Sequence, residues 1–77
     1  MFQRGEDLLV NASGLPVGPY RLMLCDLQGR VLVEVAGKCA GELQSQLSMN
    51  GLSHGLYLVK LEMKGLRLVE KVLKLAE

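Results

Sequence analysis

Residues 42–63 hold the pattern that most constrains this chain. From Glu42 to Met49 the side chains alternate: Leu43, Leu47 and Met49 face one way with Ser45, and Glu42, Gln44, Gln46 and Ser48 the other. A period of two over that length describes a strand with one face on a core and one in water. Asn50-Gly51 and His54-Gly55 then punctuate a loop, because Gly takes φ > 0 at no steric cost and Asn comes closest among the rest. Leu52, alone between two glycines, predicts an apolar plug that pins the loop to the core. Beyond it Tyr57, Val59, Leu61 and Met63 alternate with Leu58, Lys60 and Glu62, a β-rich run in which the Tyr57 hydroxyl needs water or a partner. The stretch reads as strand, tight loop, strand.

The rest of the chain extends this pattern. Met1 to Glu6 carries no structure signal, and Glu6 to Ala12 offers a short strand through Leu8, Leu9 and Val10. Two glycines and two prolines between Ser13 and Pro19 make a loop, and Pro19 can only begin a strand or lie on an edge. Tyr20, Leu22 and Leu24 alternate with Arg21, Met23 and Cys25, and Arg30 to Val35 resumes after Leu27-Gln28-Gly29. That predicts a β-hairpin with a bulge at Gly29, and one face shared by Val31, Val33 and Val35. Gly37 to Gly41 reads as another loop. Leu66 to Glu77 is ambiguous: Leu68, Val69, Val72, Leu73 and Ala76 fit one helical face, whereas the two-residue Lys64-Gly65 turn favours a strand paired with Leu56–Met63. The whole predicts an all-β fold, a small immunoglobulin-like antiparallel β-sandwich of about six to seven strands, in one domain over residues 1–77.

Composition narrows the function classes. At 77 residues the core is thin. A formal charge of +1 gives no reason to expect nucleic acid or an anionic membrane as partner, and no apolar run is long enough for direct membrane insertion as a helix. Cys25 and Cys39 permit one disulfide, which their Cα separation decides; the plain reading is a strand residue and a free loop thiol. His54 is the only histidine; its neighbour Ser53, with Asp26 and Cys25, forms no recognisable triad. No phosphate loop, carboxylate pair or metal cluster is present. The expectation is no enzyme, no cofactor and no metal.

Three segments carry a resemblance. Met49-Asn50-Gly51-Leu52-Ser53-His54-Gly55-Leu56-Tyr57-Leu58, Cys25-Asp26-Leu27-Gln28-Gly29-Arg30-Val31 and Glu70-Lys71-Val72-Leu73-Lys74-Leu75 resemble, in order and spacing, motifs of the type A C-terminal sorting domains of the type IX (Por) secretion system of Bacteroidetes. The similarity covers roughly residues 18–76. Cys25 stands where those domains carry an aromatic, and Phe2-Gln3-Arg4-Gly5-Glu6 lacks their Pro-Asn-Pro-like opening. The resemblance implies an immunoglobulin-like sandwich, with Leu66–Leu75 a strand, at the end of a longer secreted precursor. It implies a fused N-terminal cargo carried through periplasm and outer membrane to the cell surface or medium. An outer-membrane translocon would read the domain, which in many such proteins a surface sortase then removes. The residues it marks for recognition are Gly29, Arg30, Gly55, Leu56, Tyr57, Lys71, Val72, Leu73 and Lys74. On their own terms the glycines read as backbone geometry and Tyr57 as core packing. Lys71 and Lys74 read as a solvated face that also guards an edge strand.

An adhesion or stalk module of the immunoglobulin or fibronectin kind would share the sandwich. A terminal strand on a sheet edge would leave free N–H and C=O groups for a receptor strand, or for a second copy in an edge-strand homodimer.

Overall fold

The computed structural model describes residues 2–4 and 7–74. Seven strands follow one another: β1 (Phe2–Arg4), β2 (Asp7–Ala12), β3 (Val17–Cys25), β4 (Val31–Ala40), β5 (Leu43–Ser48), β6 (Gly55–Met63) and β7 (Leu66–Lys74). They form two antiparallel sheets, ordered β1-β2-β5 and β4-β3-β6-β7. This is the small β-sandwich expected, with β1, β2 and β5 in the places of immunoglobulin strands A, B and E, and β4, β3, β6 and β7 in those of C′, C, F and G.

The core lies between the sheets. Leu8 and Val10 of β2 and Leu43 and Leu47 of β5 meet Leu22 and Leu24 of β3 and Tyr57, Val59 and Leu61 of β6, with Met49 at the loop end. Leu8, Leu22, Leu24, Leu47 and Met49 are fully enclosed, each contributing about 2 kcal/mol of apolar burial. The Glu42–Met49 alternation holds, as does the Leu52 plug, half-buried against the core.

Elsewhere the structure corrects the sequence reading. Of the predicted Gly37–Gly41 loop only Gly41 lies outside a strand: β4 runs through to Ala40, and Cys39, a free thiol as expected, is a buried core residue on that strand rather than in a loop. Gly37 sits opposite Tyr20, and a Cβ there would come within 3.1 Å of the Tyr20 ring. Its role is to admit that ring, a role that reads as loop chemistry in the sequence. Cys25 lies on the opposite face of its sheet from this core, so both thiols are free and buried. The irregularity of the β3–β4 ladder falls between Leu24 and Cys25, opposite Val33 and Val31, and not at Gly29. The extra residue, Leu32, separates Val31 from the face of Val33 and Val35. Short β1 was not expected. Leu66–Lys74 is a strand, and Leu75 to Glu77 lie outside the described residues. Pro19 is inside β3 but pairs only with β4, because β6 joins β3 from Tyr20 onward.

Candidate recognition surface

The Cys25 end of the four-stranded sheet collects the β3–β4 turn, the start of β6 and the end of β7, since Cys25 pairs with Leu58 and Leu58 with Lys71. Asp26 builds the turn. Its Oδ1 accepts the Gln28 and Arg30 backbone N–H groups at 2.9 Å each, and its Oδ2 accepts Arg30 Nε at 2.7 Å. The Arg30 backbone N–H, helped by its side chain and by Gln28, holds the Asp26 carboxyl below the usual carboxylate range. Gly29, at φ +90°, supplies the left-handed step that closes the turn, its N–H donating to the Asp26 carbonyl at 3.1 Å. Asp26, Gly29 and Arg30 are therefore one turn unit.

The loop between β5 and β6 is fastened twice. The Tyr57 hydroxyl donates to the Ser53 carbonyl four residues upstream, while its ring packs in the core at the start of β6. This is the contact of a tyrosine corner. From β7, Lys74 Nζ donates to the Met49 carbonyl at 2.9 Å and to the Leu52 carbonyl at 2.6 Å. Lys74 is only 8% exposed, so it does not belong to a solvated face. Gly55, opposite Lys74 and at φ +146°, opens β6 in a conformation that L-residues rarely adopt. His54 and Ser53 are exposed in the same loop. Among the described residues, no group of three or more His, Cys, Asp or Glu side chains is placed to hold a metal ion.

The outward side of this sheet end carries apolar side chains. Leu56 and Leu73, cross-strand partners, are 48% and 53% exposed. Next to them Leu58 faces Lys71, and Lys60 faces Val69. A shallow groove lined by Met23, Cys25, Gly29, Val31 and Val69, and by the charged Lys60, Glu62 and Arg67, leads on from the patch. At the far end the same face is charged: Arg21 bonds Glu34 at 2.6 Å, and Arg67 lies 3.1 Å from Glu62. β7 is the edge of this sheet.

The family model for secretion system C-terminal sorting domains matches residues 6–75. The chain belongs to that family. No curated protein and no solved structure matches it. The chain is thus a sorting domain of the type IX system, whose family is non-catalytic and marks proteins exported through the outer membrane to the cell surface or medium. Such a domain implies an N-terminal cargo and the secretion machinery.

The nine residues marked in the sorting domain's sequence fall into two groups. Leu56, Lys71 and Leu73 share the outer face near the Gly29-Arg30 turn. Tyr57, Val72 and Lys74 point to the inner side, and Gly55 shapes the backbone beneath them. Sequence reasoning passed over Asp26 as the turn's organiser, though an Asp two residues before the turn's centre is an Asx-turn signal. It also passed over Lys60, which only cross-strand register places beside Val69.

Proposed function

We propose that this sorting domain is read at the Cys25 end of its four-stranded sheet by the outer-membrane translocon, with the free edge of β7 accepting a receptor strand. Leu56, Lys71 and Leu73, with Gly29 and Arg30, form the contact surface. Gly55, Tyr57, Val72 and Lys74 hold it in shape. The observation carrying this reading is the exposed Leu56–Leu73 pair on an edge hairpin, since soluble domains usually blunt such edges. After export a surface sortase removes the domain from the cargo joined to its N-terminal side.

The test is a reporter fused ahead of residues 1–77, expressed with and without an active type IX translocon. Truncation from Val72 is a poor probe, because it also removes Lys74 from the β5–β6 loop. The double variant Leu56→Ser, Leu73→Ser keeps the fold and should lose translocon-dependent export. Full export of a folded double variant would overturn the assigned surface. The mass of the exported reporter tests cleavage: a product still carrying the domain removes the sortase step.

A further inference from the structure

The charges along β7 specify what its edge accepts. Resting on the reading of that edge as the receptor contact, we infer that β7 is built to reject a second copy of this domain. It takes instead one antiparallel strand of another protein, in the pattern apolar-apolar-acid-base-apolar-apolar.

Pairing fixes the two faces of β7. Leu66, Leu68, Glu70, Val72 and Lys74 lie opposite Met63, Leu61, Val59, Tyr57 and Gly55, on the inner side. Arg67, Val69, Lys71 and Leu73 lie on the outer side. Both faces expose apolar surface, Leu68 at 45% and Val69 at 54%. β7 pairs with β6 without a bulge from Leu66 to Lys74, whereas the other edge, β4, carries the irregularity at Leu32. β4 is thus blunted by its irregularity, whereas β7 is straight and guarded only by its charges.

Two folded copies joined antiparallel along β7 must keep inner face beside inner face, because directly opposed residues share a face. An inner residue then meets only an inner residue. Centring the pair on Glu70 puts Glu70 against its own copy. Moving the centre to Lys71 puts Lys71 against Lys71, and moving it to Val69 sets Arg67 against Lys71 on both sides of the centre. Registers that escape like charges pair five residues or fewer of the nine in β7. Every long register of a homodimer thus carries a destabilising like-charge contact.

A strand that is not part of a second sandwich is free of this restriction, since it can present either of its own edges. Set antiparallel, it can place an acid on the outer side against Lys71 and a base on the inner side against Glu70. Apolar residues then cover Val69 and Leu73 on one face and Leu68 and Val72 on the other. Neither Lys71 nor Glu70 has an ion-pair partner among the described residues. Leu68-Val69-Glu70-Lys71-Val72-Leu73 has this same pattern, so a peptide of that sequence fits the edge while the folded domain cannot.

The experiment uses the 77-residue domain and two labelled peptides of equal composition. One has the sequence of residues 68–73, which leaves out Arg67 and Lys74; the other carries Glu70→Lys and Lys71→Glu in that peptide. The first should bind about threefold more tightly, because it makes two cross-strand ion pairs in full register, whereas the second keeps at most one, by slipping one residue. Sedimentation of the domain alone should give a monomer at high micromolar concentration, and Glu70→Val, which removes the central repulsion, should give a dimer. A wild-type β7 dimer, equal binding of the two peptides, or a folded Glu70→Val domain that stays monomeric would each overturn the inference. If the peptides bind alike while the Leu56→Ser, Leu73→Ser domain still loses export, the strand chemistry fails and the receptor surface stands.

Discussion

Replacing Lys74 by Met keeps most of the aliphatic stem and removes the ammonium that holds the β5–β6 loop. The hydrogen bonds to the Met49 and Leu52 carbonyls are lost. A bond to a charged group contributes about 1.5–3 kcal/mol net, but the two do not simply add. The Met49 carbonyl also accepts the Leu52 N–H at 3.1 Å, so it keeps a partner. Asn50, Gly51 and Ser53 are exposed, so water can reach part of the loop, and Met avoids the cost of burying a charge. The remaining loss is about 2 kcal/mol. In a domain of this size that lowers Tm by roughly 8–16 °C. Lys71→Met is the control: Lys71 is exposed three positions away, and its replacement should change stability by less than about 0.5 kcal/mol. Thermal unfolding followed by circular dichroism reads both, and amide exchange at Leu52 should quicken in Lys74→Met alone. Equal Tm values for the two variants would refute the loop-fastening role and return Lys74 to the solvated face.

Two further outcomes follow from the same geometry. Tyr57→Phe removes only the hydroxyl that donates to the Ser53 carbonyl; it should cost about 1 kcal/mol, seen as a Tm decrease of several degrees, with near-unchanged packing of the ring. Asp26 has a folded pKa depressed by the Arg30 and Gln28 hydrogen bonds, so its contribution is complete above the ordinary carboxylate range of ~4. That contribution shrinks as pH falls through the range and ends below the folded value. The protection of the Gln28 and Arg30 amides, taken relative to their intrinsic exchange rates, should therefore fall in acid, and Asp26→Asn should remove most of that pH dependence.

Period-two runs made the strand content and the in–out assignment of β5 and β6 legible, because alternation is a one-dimensional signal of a half-buried sheet. The hairpin nature of Leu66–Lys74 followed from a two-residue turn, although its own apolar spacing also fitted a helix. Gly37 and Cys39 were misread because a glycine accommodating an aromatic ring and a glycine making a turn look alike in sequence. The motif similarity carried the family, and the match over residues 6–75 agrees with it.

By itself, then, the sequence determined the all-β character, the turns other than the one read at Gly37, and the family, since each depends on local spacing or local residue type. Tertiary structure decided which marked residues are available to a partner. Lys71 and Lys74 are equivalent charges in the same terminal motif, yet cross-strand register turns one outward beside Leu58 and the other inward against the Met49 and Leu52 carbonyls. The same register places Glu70 and Lys71 on opposite faces of the edge. A strand's sequence lists its neighbours along the chain, but only its pairing fixes which face, and which partner, each side chain meets.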